Sequence, residues 1–177
     1  MITLIIGGSG SGKSAYAEEY AEMLSQGGRK YYLATMQVFD DEGQEKIARH
    51  RELRKDKDFV TIEQPVNIHK TLEGMVSGTA LLECMSNLVA NEMFQGEVPT
   101  PCSDVTEKII AEVKQLSCGL EQLVIVTNNV FEDGISYGES TKEYIEAMGQ
   151  VNARLAAMAD KVIEVVVGIP ITIKEGN

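Results

Sequence analysis

The sequence predicts an α/β fold, a three-layer sandwich around a mostly parallel sheet, and three observations predict it. The chain opens on a β-branched apolar run, residues 2–6, that passes through a glycine-rich loop into a helix-forming segment starting at Ala15. Strand-like apolar runs then alternate with longer helical ones as far as Asp160, the order that lays parallel strands between layers of helices. The last two apolar runs, 161–167 and 171–174, are too close together for a crossover and suit an antiparallel hairpin at the sheet edge. A length of 177 residues suits a single domain, 1–177, and no internal repeat or low-complexity tract divides it.

Each element has its own signal. The first helix stops at Gly27-Gly28, and residues 29–35 read as a second strand. Residues 40–43 form an acidic loop, 44–55 a polar helix and 59–63 a short strand. Pro65 breaks the chain before a helix over 66–75. A buried strand, 79–82, ends in Glu83 and leads into a helix to about Phe94. Pro99 and Pro101 mark a loop over 95–101, and Ser103 or Asp104 is placed to cap a helix to about Cys118. The strand 123–126 leads into Thr127-Asn128-Asn129. After a loop over 130–139, Ser140 with Glu143 fits a capping box for a helix to about Ala159.

Composition excludes some functions. Subtracting 27 acidic from 16 basic residues gives −11, a field that repels nucleic acid, so no nucleic-acid partner is expected. No apolar run approaches the roughly 20 residues of a membrane span. Cys84, Cys102 and Cys118 are odd in number and contain no C-x-x-C pair, which argues against zinc and for free thiols in a reducing cytoplasm.

The chemistry begins in the loop after the first strand. Gly7-Gly8-Ser9-Gly10-Ser11-Gly12-Lys13-Ser14 is G-x-x-x-x-G-K-[ST] between a strand and a helix, the context of a phosphate-binding P-loop. Its glycines bring main-chain N–H groups close to an anion, and the helix N-terminus adds partial positive charge. Lys13 is placed to reach β- and γ-phosphates, and the Ser14 hydroxyl to hold Mg²⁺. The fold is therefore that of a P-loop NTPase.

Ligands of open α/β sheets bind at the carboxyl ends of strands, where Thr35-Met36-Gln37, Glu83 and Thr127-Asn128-Asn129 also fall. Glu83 suits three roles: an acid beside Mg²⁺, a ribose or base contact, or a solvated residue opening a helix. Residues 46–57 hold six of the 16 Lys and Arg residues in twelve positions, together with His50. Arg51 and Arg54 share a helix face and suit phosphate oxygens, but a salt-bridged solvated face fits the same composition. His69 has no comparable setting and reads as a surface residue.

Taken in order, these motifs resemble the bifunctional adenosylcobinamide kinase/adenosylcobinamide-phosphate guanylyltransferase family of cobalamin assembly. The likeness covers nearly the whole chain. It rests on the P-loop, Tyr32-Leu33-Ala34-Thr35, Ile47-Ala48-Arg49-His50-Arg51 with Arg54, and Thr61-Ile62-Glu63-Gln64-Pro65. It continues through Leu81-Leu82-Glu83-Cys84, Val126-Thr127-Asn128 and Gly149-Gln150-Val151-Asn152-Ala153-Arg154-Leu155-Ala156. The I-x-x-H-R segment followed by T-x-E-x-P and L-L-E-C is the specific part; the P-loop alone is generic.

The resemblance implies a RecA-like sheet, a homotrimer with sites near subunit interfaces, and His50 as the nucleophile that becomes guanylylated. It implies nucleotide contacts from Ala34, Thr35, Met36, Arg51, Glu52, Leu53, Arg54, Glu63 and Glu83. GTP and ATP are the implied co-substrates, with a corrinoid acceptor. The sequence departs from the family at Asn129, where a Glu is expected, and across 130–136. It departs again at Lys142-Glu143-Tyr144-Ile145-Glu146, in place of R-x-F-R-D, and at Arg54-Lys55-Asp56-Lys57-Asp58-Phe59, in place of R-P-x-x-W. Two other readings fit the residues: a small-molecule P-loop kinase without guanylyl transfer, and a non-catalytic nucleotide-binding regulator.

Overall fold

In the computed structural model, residues 1–37, 57–129 and 137–176 are described. Among the described residues, seven strands form one sheet: β1 (Ile2–Gly7), β2 (Lys30–Ala34), β3 (Val60–Glu63), β4 (Thr79–Glu83), β5 (Gln122–Asn128), β6 (Lys161–Val166) and β7 (Ile169–Lys174). Their order is β3-β2-β4-β5-β1-β6-β7, with β7 alone antiparallel to its neighbour. The helices are α1 (Lys13–Ser25), α2 (Met85–Met93), α3 (Cys102–Gly119) and α4 (Glu139–Met158), with a 3₁₀ helix over Ile68–Gly74. The expected sandwich with a parallel sheet and an antiparallel edge hairpin is what forms.

The layers follow from strand alternation, since successive side chains leave a strand on opposite faces. Leu4, Leu82 and Ile125 pack on the side of α2, α3 and α4, with Leu88, Ile109 and Val151. Ile5, Leu81, Val124 and Val126 pack on the other side, against Ala17 and Ala21 of α1. Full burial of a side chain such as Leu81 or Leu82 contributes about 1.5–3 kcal/mol. Strands buried on both faces read as unbroken apolar runs, which is why β1, β4 and β5 stand out in the sequence. β1 lies in the interior of the sheet, and the Ile2 N–H also donates to Asp160 Oδ2 at 2.6 Å.

Several local expectations are corrected. The capping box at Ser140 does not form: Gly138 is the N-cap, with no side-chain capping bond, and the Lys142 N–H closes the first turn on its carbonyl. Neither Ser103 nor Asp104 caps α3, because Pro101 occupies that position and its carbonyl accepts from the Asp104 and Val105 N–H groups. The helix expected over 66–75 is a tighter 3₁₀ turn entered through Asn67 at φ 52°, where Glu92 Oε1 accepts the Asn67 N–H at 2.6 Å. β7 begins at Ile169 and includes Pro170, which an edge strand tolerates. His69 is half-buried rather than a plain surface residue, its Nδ1 3.1 Å from Glu112 Oε1. The polar helix expected over 44–55 lies outside the described residues. Among the described residues no helix is long and apolar enough to cross a membrane.

Candidate functional site

The phosphate loop is built largely from main chain. At Gly7, where β1 ends, a Cβ would meet Val165 O and Ser11 Oγ at 2.6 Å each, so no larger residue fits without a shift. Gly12, the N-cap of α1, has φ 87°, a conformation that side chains rarely adopt. Its carbonyl accepts the Tyr16 N–H at 3.1 Å, and the Gly8 carbonyl accepts the Ser11 N–H at 3.2 Å. Lys13 opens α1 only 8% exposed, with Nζ donating to the Gly8 carbonyl at 3.1 Å. Its ammonium therefore lies over the loop, beside the helix N-terminus that favours an anion. Ser9 and Gly10 are exposed at the tip, and Ser14 is half-buried in the first turn of α1.

At the carboxyl ends of β2, β3 and β4 the predicted contacts line up. Ala34 is in register with Glu63 on one side and Glu83 on the other. Glu83 Oε2 accepts the Tyr32 hydroxyl at 3.0 Å, while Glu63 is exposed. Met36 follows, half-buried. Thr35 is different. It is fully buried, its N–H donates to the Glu83 carbonyl at 3.1 Å, and its carbonyl accepts Asn91 Nδ2 at 2.7 Å. Its hydroxyl donates to the Cys84 carbonyl and accepts the Cys84 N–H, both at 2.8 Å. With its polar groups taken up internally, Thr35 holds Ala34 and Glu83 together. Asn91 extends the stitching by donating also to the Pro65 carbonyl at 2.9 Å.

β5 runs between these two halves, with Asn128 level with Gly7. β4 therefore lies two strand spacings from β1, about 10 Å away. Asn128 Nδ2 donates to Ser86 Oγ at 2.7 Å, and Ser86 Oγ sits 3.0 Å from Cys84 Sγ. The Thr127 hydroxyl donates to Asn152 Oδ1 at 2.6 Å, and Asn152 Nδ2 donates back to the Asn128 carbonyl at 3.2 Å. The Tyr144 hydroxyl donates to the Ser86 carbonyl at 3.1 Å, and burial, with a smaller push from Cys84, raises its pKa to about 12. Asn129 Nδ2 reaches Glu164 Oε1 at 3.3 Å. Ser86 and Asn91 are not named from the sequence, and Tyr144 and Asn152 enter only within longer segments, with no role of their own. A serine or an amide on the sheet-facing side of a helix, among residues such as Leu88 and Val89, is the signal that could have found the first two.

Among the described residues, no three His, Cys, Asp or Glu side chains converge as a metal cage. Among the described residues, the Ser14 hydroxyl and the Glu83 carboxylate are the candidate protein oxygens for a divalent ion, with phosphates and water completing its shell. That donor set suits Mg²⁺. His50, Arg51, Glu52, Leu53 and Arg54 lie outside the described residues.

Comparison with known proteins bears on this geometry. The chain is 30% identical to the bifunctional adenosylcobalamin biosynthesis protein CobU of Escherichia coli, over 98% of its own length and all of that protein. It is 31% identical to the Salmonella typhimurium CobU over the same shares. It is 27% identical to CobP of Pseudomonas aeruginosa, over 98% of each chain. Among solved structures it resembles the flagellar accessory protein FlaH of Methanocaldococcus jannaschii, with TM-score 0.52 and 14% identity, over 99% of this chain and 78% of that one. That likeness speaks for the fold alone. Residues 3–173 match the family described as cobinamide kinase / cobinamide phosphate guanyltransferase. The chain therefore belongs to that family of enzymes, which transfer phosphoryl and guanylyl groups.

Proposed function

We propose that this chain phosphorylates adenosylcobinamide from ATP or GTP, and then transfers GMP from GTP to the product through a histidyl-GMP intermediate. The observation that carries the reading is the main-chain phosphate loop with Lys13 folded over it, in a chain that matches the family over residues 3–173.

In the kinase step the acceptor hydroxyl oxygen attacks the γ-phosphorus. The bond from that phosphorus to the β,γ-bridging oxygen breaks, the nucleoside diphosphate leaves and the hydroxyl proton is released. Lys13 and the loop N–H groups neutralise charge on the β- and γ-oxygens. Ser14, with Glu83, would hold Mg²⁺, which when bound supplies charge neutralisation between the phosphates. Ala34, Met36, Glu63 and Glu83 sit where a nucleoside would lie, on an edge that Thr35 and Asn91 hold in place.

In the guanylyl step an imidazole nitrogen of neutral His50 attacks the α-phosphorus of GTP and pyrophosphate leaves. An oxygen of the substrate phosphate then attacks the histidyl-GMP phosphorus. The P–N bond breaks, His50 is restored and adenosylcobinamide-GDP is formed. Arg51 and Arg54, with Glu52 and Leu53 beside them, belong to the same nucleotide contact set. The reading includes a homotrimer in a reducing cytoplasm. Three unpaired cysteines support the compartment, and the exposed Ile169, Ile171 and Ile173 of β7 support association. A stable monomer in light scattering at micromolar concentration would remove the trimer.

The test is incubation with GTP labelled at the α-phosphate, with and without adenosylcobinamide. Label should stay on the wild-type protein, labile in acid and stable in base, and His50→Ala should abolish it. Guanylyl transfer by that variant should fall by several orders of magnitude, as loss of a covalent catalyst does, while phosphorylation survives far better. Undiminished label on His50→Ala would refute the nucleophile. No label on wild type with normal phosphorylation would leave a simple kinase.

A further inference from the structure

The hairpin of β6 and β7 closes through two residues, Val167 and Gly168, with Val166 paired to Ile169 across them. Both have positive φ, 45° and 82°, as in a type I′ turn, whose favoured sequence is Asn-Gly. A β-branched residue is costly there, because its crowded Cβ opposes the left-handed conformation. Val167 is 82% exposed, so burial does little to offset that cost. Such a conformation persists where surrounding structure over-determines it, and here the surrounding structure is the phosphate loop. The Gly168 N–H donates to the Ser11 carbonyl at 2.8 Å, and a Cβ on Gly12 would lie 3.4 Å from Gly168 Cα.

That hydrogen bond acts on the peptide joining Ser11 to Gly12. A peptide unit is planar and trans, so fixing its carbonyl fixes the direction of its N–H. With the Ser11 carbonyl turned to the hairpin, the Gly12 N–H points the opposite way, one residue before Lys13.

We propose that the Val167–Gly168 turn is a positioning element for the phosphate loop. Its Gly168 N–H sets the Ser11–Gly12 peptide so that the Gly12 N–H faces the nucleotide phosphates, an inference that rests on the nucleotide role given to the loop above. Gly168 acts through Gly12 and Lys13 and touches no reacting atom itself.

The test removes that donor alone. Replacing Gly168 with glycolic acid by nonsense suppression turns its amide into an ester, whereas Gly168→Asn keeps the N–H on a residue that tolerates positive φ. Wild type and both variants are titrated with Mg·GTP by calorimetry and assayed for adenosylcobinamide phosphorylation. The ester should raise the GTP Kd by about 3–10-fold. It should lower kcat by about tenfold or more through misplacement of the loop, with melting shifted by no more than about a few degrees. Gly168→Asn should restore both constants to within about twofold of wild type. A lower melting temperature with Kd and kcat unchanged would make the contact merely structural and overturn the proposal. In the wild-type protein, hydrogen exchange at the Gly168 amide should be slow, and slower still with Mg·GTP. Exchange at the rate of an open turn in both states would also overturn it, even if the ester protein did not fold. Wild type that binds neither GTP nor ATP would remove the nucleotide reading itself; wild type that binds, beside an unaffected ester variant, would remove only the role of the turn.

Discussion

The carboxyl edge of the sheet is held in two ways, by main chain around β1 and by side chains around β2 and β4. At the phosphate loop, Gly8, Ser11, Gly12 and Gly168 hold one another through peptide groups, and the Lys13 side chain reaches back over them. At the other half, the Thr35 hydroxyl, the Asn91 amide and the Tyr32 hydroxyl span the gaps between strands and loops. A main-chain scaffold keeps its shape when a side chain on it is cut away, so the cut registers in chemistry. A side-chain scaffold loses shape with the side chain, so the cut registers first in stability.

Three substitutions press on that contrast. Lys13→Ala should have the largest effect, with triphosphate affinity weakened and phosphoryl transfer reduced by about 10²–10³-fold while folding stays near wild type. Calorimetry and turnover decide it, and GTP affinity equal to wild type would take the loop out of the mechanism. Thr35→Val keeps the shape but leaves the Cys84 N–H without its acceptor, which should cost about 1–3 kcal/mol in urea unfolding. Nucleotide affinity should weaken by less than for Lys13→Ala. Full stability with lost affinity would reverse the contrast, making Thr35 a direct ligand.

The smallest effect concerns Tyr144, which fastens α4 to the Ser86 carbonyl at the start of α2. Its pKa is raised to about 12 in the folded chain, against about 10 when unfolded. Between those values the unfolded chain gives up the proton and the folded chain keeps it, so rising pH favours unfolding. The contribution is complete below about pH 10 and is lost as pH climbs towards about 12. Denaturation across that window should show wild type losing stability more steeply than Tyr144→Phe. Parallel curves would mean that the hydroxyl titrates alike in both states.

This contrast also explains what could be read from the sequence. A loop built from peptide groups demands glycine where φ is positive or a Cβ is forbidden, so Gly7 and Gly12 appear in a fixed pattern. Strands buried on both faces are equally visible, which is why β1, β4 and β5 stand out. The stitching at Thr35 asks only for its own hydroxyl and one amide at Asn91, residue types found throughout the chain. Thr35 is expected as a nucleotide contact from the run 32–35, and that run does not announce its burial or its bonds to Cys84 and Asn91, which lie far along the chain. The expected caps at Ser140 and Ser103 failed for a related reason: Gly138 and Pro101 supply main-chain geometry that starts each helix without a side-chain oxygen.

The position of β1 has a consequence for how the protein is made. Its partners are β5 and β6, more than a hundred residues further along the chain, and its first N–H is held by Asp160. Synthesis delivers β1 well before these pairing partners, which arrive only after more than a hundred further residues. Contacts of such long sequence separation form slowly, and an unpaired apolar strand is exposed to other chains while it waits. The phosphate loop hangs from the end of that strand, so nucleotide binding becomes available late in folding, when the carboxyl-terminal strands have arrived.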